Sequence, residues 1–329
     1  MINSKIIKDK INIPTEEDAI TILENALGKK TKNIRRFPNG LAHYVYDIIT
    51  EDGINLVVRL ARHDLKYFFQ GALSWYELLK SKRIPLPKLY YSDIQDIQTF
   101  PTMIMERLSG EDLIDVYPKL LPEQKKILAV KIIEIQNIAN SLPMGNGYGY
   151  ARSRNDKSLH KKWIDLLNEN LNRSRLRIEK TKIIDTQYID RVMILVHQNE
   201  NYFTNIKPLC FLDDIATKNV IIDNGKLNGI VDVDSVAYGD QLLVLGLTKM
   251  SLLSNKYDTI YTDYWTKELN LTTQQKKALN IYVVIFCLDF ISEIGHQFNK
   301  DTTTPISNSK LFRLQEILEQ ILSKNNFYL

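Results

Sequence analysis

Three oxygen-bearing side chains, Asp214, Asn219 and Asp232, follow one another at a spacing that suits phosphate chemistry. Carboxylate and amide oxygens are ligands that Mg²⁺ prefers, and this ion keeps phosphate oxygens in its coordination shell. A second carboxylate beside the ion can orient an attacking hydroxyl group, which is what phosphoryl transfer requires. The alternative for Asp214 and Asp232 is a structural role, in which turn carboxylates accept hydrogen bonds from loop amides.

A β-hairpin over 209–232 is predicted to bring these residues together. Its turn is Asn224-Gly225, because a type I′ turn needs positive φ at both central positions. Counting outward gives three facing pairs: Asp223 with Lys226, Val220 with Gly229, and Asn219 with Ile230. Asp232 lies just beyond the last pair, so an amide oxygen and a carboxylate converge at the open end of the hairpin.

The first third of the chain predicts a mostly antiparallel sheet with one inserted helix. A first helix over 15–27 begins with a capping box formed by Thr15 and Asp18 and ends at Gly28. Strand patterns follow at 41–50, 54–61, 88–94 and 99–108, with a helix at 65–82.

Helical periodicity dominates the chain after Gly110. The predicted helices cover 121–141, 157–172, 175–200, 242–255, 257–269, 273–298 and 308–324. We therefore expect an α+β fold with a small antiparallel β lobe over 1–107 and a larger, mostly helical lobe over 108–329. The length agrees with about two domains at roughly 150 residues each.

The composition fits an ordinary soluble protein, with 44% hydrophobic residues and a formal net charge of +4. Cys210 and Cys287 alone exclude a disulfide framework and fit a reducing cytoplasm. The N-terminus lacks the apolar core of a signal peptide, and the apolar run at 281–288 is too short to span a bilayer. We expect a cytoplasmic protein without nucleic-acid or membrane partners.

The segment 212–219, LDDIATKN, resembles the aminoglycoside phosphotransferase and choline kinase branch of the protein-kinase-like fold. VDVD at 231–234 and Gly239-Asp240 follow in the order that this family uses. Members read roughly H-G-D-x4-N, then a hairpin, then I-D-x-[DE] and G-D-P. The resemblance implies a bilobal protein-kinase-like fold, Mg²⁺ as cofactor and ATP or GTP as phosphoryl donor.

The resemblance also assigns roles to individual residues. It makes Asp214 the catalytic aspartate, and Asn219 and Asp232 the metal ligands. Arg59 takes the place of the phosphate-gripping lysine on the third strand, where a guanidinium suits phosphate oxygens. Gly40 falls in the loop that covers the nucleotide.

The segment 103–110, MIMERLSG, resembles the inter-lobe hinge of the family. The backbone of Glu106 and Leu108 would then bind the nucleotide base. Glu77 is the only acid in the right helix to pair with Arg59, and its alternative is an exposed surface position. The sequence departs from the family at Leu212 and Asp213, which replace the usual His and Gly, and at Ala42, where Ser is common.

Asp289, Glu293 and His296 share one face of a predicted late helix. In the resembled family the helices after the metal aspartate wall the acceptor pocket, so Asp289 and Glu293 are candidate acceptor ligands. They would suit a cationic or polyhydroxylated acceptor, and the alternative is a polar helix face or an ion pair. A basic run predicts either a solvated face or a site for an anionic partner: Arg173, Arg175, Arg177, Lys180 and Lys182.

We predict a small-molecule kinase that transfers the γ-phosphoryl group of ATP or GTP to a hydroxyl group. A protein kinase would need a long activation segment ending in Pro-Glu, and the only such pair, Pro122-Glu123, lies upstream of the site. A nucleotide-binding module without turnover is the other rival, and Leu212 and Ala42 favour it. The acceptor stays open among aminoglycosides, macrolides, choline-like compounds, sugars and amino acids.

Overall fold

The computed structural model describes residues 13–37, 43–95, 97–154, 156–296 and 307–324. Contacts within the chain divide it into two units. The first unit contains Met1–Gln70 and Lys88–Arg107, and the second contains Gly71–Pro87 and Leu108–Leu329.

The first unit holds a five-stranded antiparallel sheet in the order β1-β2-β3-β5-β4. Its strands are β1 (Thr31–Phe37), β2 (Tyr44–Thr50), β3 (Asn55–Leu60), β4 (Leu89–Asp93) and β5 (Thr102–Glu106). Each of the four strand ranges that the sequence predicts contains one observed strand. The predicted antiparallel sheet is therefore confirmed.

Helix α1 (Glu16–Leu27) covers one face of this sheet. Thr15 and Asp18 form the predicted capping box, and Gly28 ends the helix in the left-handed conformation. The buried side chains of α1, Ile22 and Leu23 among them, join a core made of alternating residues of β2 and β3. Burial of such aliphatic side chains contributes roughly 1.5–3 kcal/mol each, which is what fixes the helix on the sheet.

The second unit is mostly helical, as the sequence predicts. Its helices are the later part of α2 (Lys66–Ser81), α3 (Leu113–Val116), α4 (Pro122–Asn140), α5 (Trp163–Thr181), α6 (Gln187–Gln198), α7 (Glu200–Thr204), α8 (Leu242–Ser254), α9 (Ile260–Glu268), α10 (Thr273–Glu293) and α11 (Asn308–Lys324).

Two small antiparallel sheets lie in the second unit. The first has the order β10-β9-β6 and the second β7-β11-β8. Their strands are β6 (Glu111–Asp112), β7 (Gly149–Ala151), β8 (Leu209–Phe211), β9 (Val220–Asp223), β10 (Lys226–Ile230) and β11 (Val236–Gly239).

The helix boundaries predicted at 157–172 and 175–200 are wrong. A single helix, α5, runs through the predicted break because Asn170, Ser174 and Ile178 are all buried on its packed face. The chain instead leaves the helix at Lys182, whose φ is 54° and whose N–H caps Ile178. Helix α10 ends at Glu293, so His296 lies beyond it. The prediction that His296 shares a helix face with Asp289 and Glu293 is therefore wrong.

Asp240, at the end of the predicted G-D motif, is buried in the second unit. Its Oδ2 accepts hydrogen bonds from the Tyr202 hydroxyl at 2.7 Å and the Tyr282 hydroxyl at 2.8 Å. The Tyr282 oxygen in turn accepts a hydrogen bond from Trp163 Nε1 at 2.8 Å. Burial raises the pKa of Asp240 above its ordinary value, against the effect of these donors. This buried network, together with the Leu242 N–H that bonds to Oδ1, links β11 to α5, α7, α8 and α10.

Cys210 and Cys287 are both buried free thiols. Within the part of the chain that the structure describes, no helix has the length and apolar character needed to cross a membrane.

Candidate active site

The segment between β8 and β9 brings Asp214 and Asn219 into direct contact. Asn219 Nδ2 donates to Asp214 Oδ2 at 2.9 Å and to the Asp214 main-chain oxygen at 3.1 Å. The Asp214 side chain is exposed to solvent, so a small molecule can reach it. Asp214 and Asn219, two of the three residues predicted to serve phosphate chemistry, are thus neighbours.

The predicted hairpin turn is confirmed, with φ of 49° at Asn224 and 73° at Gly225. The predicted register is correct only next to the turn. Asp223 faces Lys226, but Val220 faces Ile230 and Ile221 faces Gly229, so the predicted Val220–Gly229 and Asn219–Ile230 pairs are wrong.

A bulge at Asn228 causes this shift in register. Its side chain donates to the main-chain oxygen of Ser109 at 2.8 Å, and Ser109 donates to Asp223 at 2.8 Å. The extra residue on β10 is therefore held by a segment more than 100 positions upstream. The bulge places Val231 opposite Asn219, with the Val231 N–H donating to the Asn219 oxygen at 2.9 Å.

Asp232 consequently follows directly after the residue that pairs with Asn219. Both residues have left-handed backbones, with φ of 65° at Asn219 and 59° at Asp232. Asn and Asp tolerate this conformation better than most residues, which explains their types at two strand ends.

The donor atoms at this position fit Mg²⁺. The amide nitrogen of Asn219 donates to Asp214, so Oδ1 is the atom of this side chain that could serve as a metal ligand. Asp232 adds a solvent-exposed carboxylate. Among the described residues no group of three or more His, Cys, Asp and Glu side chains is arranged to hold a metal. Two oxygen ligands from the protein are typical of Mg²⁺ sites that phosphate oxygens and water complete.

Two carboxyl groups of this segment, Asp213 and Asp214, have raised pKa values. Desolvation by the surrounding protein, and next the charge of Asp213, raise the pKa of Asp214 to about 7, while the bond from Asn219 opposes the rise. Desolvation, with the nearby charge of Asp232, raises the pKa of Asp213 to about 6. The carboxylates of this segment are therefore partly desolvated and repel one another. Raised carboxyl pKa values of this kind occur at sites where a base works near neutral pH.

Buried hydrogen bonds from outside the segment hold it in place. Gln136 of α4 donates from Nε2 to the Leu212 oxygen at 2.8 Å and accepts from the Leu212 N–H at 3.0 Å. Gln136 and Leu212 are both buried. This amide clamp fixes the backbone just before Asp213 and Asp214. We did not identify Gln136 from the sequence, because a single Gln within an apolar helix pattern gives no signal of its partner.

The segment is also tied to β6 and α3. The Asn219 N–H donates to Asp112 Oδ1 at 3.2 Å, and the Ile114 N–H donates to the Thr217 oxygen at 2.9 Å. Gly110, with φ of 102°, lies so close to Ile222 that an added Cβ would be 2.2 Å from its oxygen. Only glycine fits where this stretch crosses the hairpin.

The predicted nucleotide-binding residues lie in several places. Arg59 is half-buried in β3 and faces Val45 and Met103 on the neighbouring strands. Glu106 ends β5, and its N–H donates to the Lys88 oxygen at 2.8 Å. Leu108 is buried in the second unit, and Glu77 is exposed on α2. Gly40 lies outside the described residues.

The predicted acceptor residues Asp289 and Glu293 lie near the end of α10. Asp289 forms ion pairs with two arginines of α5, at 3.3 Å from Arg173 Nη2 and 3.3 Å from Arg177 Nη1. Burial, and next the charge of Asp289, raise the pKa of Glu293 to about 7. The two guanidinium groups offset the charge of Asp289, and Glu293 holds its proton more tightly than an ordinary glutamate, so the pair is less negative than two free carboxylates.

Comparisons with known proteins agree with this arrangement. The family model described as the phosphotransferase enzyme family matches residues 33–243. A comparison with curated protein sequences found no match. Among solved structures, the fold is similar to an aminoglycoside phosphotransferase, APH(4)-Ia, in a ternary complex with AMP-PNP and hygromycin B. That match has a TM-score of 0.64 and 13% identity, and covers 94% of this chain and 99% of the other.

Two further aminoglycoside phosphotransferases have similar folds. The streptomycin–ATP complex of APH(2″)-IIa matches with a TM-score of 0.60 and 15% identity, over 94% of this chain and 97% of the other. ADP-bound APH(2″)-Ib matches with a TM-score of 0.59 and 16% identity, over 93% and 97%. The predicted protein-kinase-like fold, with its antiparallel sheet and helical C-terminal part, is confirmed.

Proposed function

Because the chain belongs to the phosphotransferase enzyme family, we propose that it transfers the γ-phosphoryl group of ATP to a hydroxyl group of a small acceptor. The observation that carries the proposal is the hydrogen bond between Asn219 and Asp214. It joins a carboxylate suited to be a base and an amide suited to be a metal ligand. These groups must be neighbours, because the attacking oxygen and the phosphorus react from about 3–3.5 Å apart.

Asp214 orients the acceptor hydroxyl and accepts its proton. As that proton leaves, the oxygen forms a bond to the γ-phosphorus, and the bond from phosphorus to the ADP oxygen breaks. A base is most effective when its pKa lies close to the working pH. The pKa of about 7 at Asp214 meets that condition.

Asn219, through Oδ1, and Asp232, through its carboxylate, would hold Mg²⁺. The bound ion would neutralise negative charge on the phosphates. Arg59 adds a guanidinium for the phosphates, and the backbone of Glu106 and Leu108 binds the base. Gly40 completes this assignment as part of the loop over the phosphates.

ATP is the proposed donor because the similar structures hold adenine nucleotides: AMP-PNP, ADP and ATP. GTP is the alternative donor that the assay must include. The free buried thiols fit a cytoplasmic enzyme, where ATP is available.

The short connection between Asp232 and α8 favours a small acceptor over a protein acceptor. Residues 233–241 contain only β11 and short connections, and α8 begins at Leu242. That stretch has no room for the activation segment on which protein kinases place a peptide substrate.

The test is release of ADP by the full chain with ATP, Mg²⁺ and a panel of small hydroxylated acceptors. We expect release that depends on an acceptor, stops when EDTA removes the metal, and falls when GTP replaces ATP. Nucleotide binding without acceptor-dependent release from any panel member would instead support a nucleotide-binding module.

A further inference from the structure

A group of charged and polar side chains lies around Asp214 on the side of α5 and α10. Its members, here the acceptor ring, are Asp213, Lys218, Glu293, Asp289, Arg173 and Tyr150. All of them belong to the second unit. They come from four separate stretches of chain, and the fold brings them to the same place.

Strand pairing links one side of the ring to the chain between β8 and β9, residues 212–219, here called the catalytic segment. Tyr150 of β7 pairs with Ala237 of β11, and the other partner of Ala237 is Phe211 of β8. Asp213 follows Phe211 by two residues. The Tyr150 hydroxyl hydrogen-bonds to Asn170 of α5 and lies within reach of the charges of Asp213, Arg173 and Asp289. Tyr150 therefore lies between the catalytic segment and the arginines of α5.

Lys218 closes the other side of the ring. Its charge acts on Asp214, four residues upstream, and on Glu293 of α10. Glu293 also senses Asp289 and Arg177. Glu293 therefore connects Lys218 to Asp289 and its ion pairs.

The ion pairs of Asp289 with the two arginines are long. Arg173 and Arg177 both contact the same oxygen, Asp289 Oδ1, at 3.3 Å. Charge-assisted bonds between N–H and carboxylate are usually about 2.7–2.9 Å, so this contact is a weak one. Two guanidinium groups therefore contact one carboxylate oxygen, each at a distance longer than a strong charge-assisted bond.

Arg173 is the better placed of the two to meet a ligand. Its side chain is 42% exposed, and within the described residues Asp289 is the only side chain to which its guanidinium donates a hydrogen bond. A guanidinium carries five N–H donors in a planar fork that fits carboxylate and phosphate groups. The exposed side of Arg173 therefore lacks the anion that its geometry would bind.

We propose that Arg173 binds an anionic group of the acceptor, a carboxylate or a phosphate ester, while the acceptor hydroxyl lies at Asp214. The acceptor of this chain is then an anionic or zwitterionic hydroxy compound, and not a polycation. This inference rests on the proposed kinase function.

The matched variants are Arg173→Gln and Arg175→Gln. Arg175 lies on the same helix but points elsewhere, because its guanidinium pairs with Asp190 at 2.6 Å. Calorimetric binding in the presence of ADP and Mg²⁺ is measured for four ligand groups: hydroxy acids and hydroxy amino acids, sugar phosphates, neutral polyols, and aminoglycosides. Acceptor-dependent ADP release is measured in parallel.

We expect binding by a carboxylate or phosphate compound, weakened about tenfold or more in Arg173→Gln and unchanged in Arg175→Gln. For a ligand that is also phosphorylated, KM rises by the same factor, while kcat and the KM for ATP stay the same. Which anionic group binds distinguishes the carboxylate from the phosphate source.

Binding of only neutral or cationic compounds would overturn the inference, as would equal effects of the two variants or binding of no panel member. If ADP and Mg²⁺ still bind, none of these results contradicts the proposed kinase function. Failure of the chain to bind nucleotide at all would instead overturn the proposed function.

Discussion

Asp214 combines two properties that usually oppose each other in one carboxylate. It is accessible to solvent, yet neighbouring protein atoms and Asp213 hold its pKa near 7. A surface aspartate would be fully ionised at neutral pH and too weak a base, whereas a deeply buried one would not reach a substrate. The hydrogen bond from Asn219 fixes the orientation of the Asp214 carboxylate, so the two side chains are already arranged before any ligand binds.

Glu293 is a second single residue that yields a prediction, which concerns how the free energy of unfolding depends on pH. Its pKa is about 7 in the folded chain against a reference value of 4.5, so the folded state binds a proton that the unfolded state releases in this window. The free energy of unfolding therefore falls as the pH rises from about 4.5 to about 7. Glu293→Gln removes that loss and should be more stable than the wild type at pH 8 by roughly 1–3 kcal/mol.

Urea unfolding at pH 4.5 and pH 8 measures this difference. The exposed Glu268 of α9, changed to Gln, is the control and should leave the pH dependence as it is. An unchanged pH dependence in Glu293→Gln would show that this carboxyl ionises freely in the folded chain.

At the scale of elements, helix α4 positions the catalytic segment through one side chain. Gln136 makes two hydrogen bonds to the backbone of Leu212 in a buried setting. An unmade hydrogen bond at a buried backbone group costs about 1–3 kcal/mol. The segment would therefore relax if the clamp were lost, and Asp214 would leave the position in which it meets the hydroxyl.

We predict that Gln136→Met, which keeps the length of the side chain, lowers kcat about tenfold or more, because a small displacement of catalytic groups has a large effect on rate. The KM for ATP should change little, since the side-chain hydrogen bonds of Gln136 go to the Leu212 backbone. Steady-state kinetics checks this, with exposed Gln320→Met on α11 as the control. A variant that loses stability but keeps its kcat would limit Gln136 to a structural role.

Local chemistry made some elements predictable from the sequence. Asn224-Gly225 fixed the hairpin turn, because few residue pairs adopt positive φ twice. Thr15 and Asp18 fixed the start of α1 in the same way. The pattern also singled out Asp214 and Asn219, which are in hydrogen-bond contact.

Features that depend on distant contacts were not predictable in this way. The bulge at Asn228 rests on Ser109, and the continuity of α5 rests on burial of Asn170 and Ser174. The clamp from Gln136 and the ion pairs of Asp289 join residues 76 and more than 100 positions apart. No local pattern in the sequence encodes such partners.

At the scale of the whole chain, the chemistry is concentrated in one unit. The residues proposed for proton transfer, metal binding and acceptor binding all lie in the second unit, whereas Arg59 and Glu106 lie in the first. The buried network of Asp240 links five elements of the second unit. A polar network in a core stabilises only while every member keeps its partner.

Tyr282→Phe tests that network. It removes a donor to Asp240 and leaves Trp163 Nε1 without its acceptor, so we expect a loss of about 2–4 kcal/mol in the free energy of unfolding. Tyr202→Phe removes one donor only and should cost about half as much. Urea unfolding measures both, and an equal or smaller loss for Tyr282→Phe would contradict the assigned network.

The most direct test of the account is the turnover of Asp214→Asn with ATP, Mg²⁺ and the best acceptor. The amide keeps the size of the side chain but cannot accept the hydroxyl proton, so kcat should fall by about 10²–10⁴. The dissociation constant of MgATP should stay within about threefold, because Asn219 and Asp232 remain. Asp115→Asn, at an exposed position of α3, is the control and should turn over like the wild type. Wild-type turnover by Asp214→Asn would contradict the assignment of Asp214 as the base.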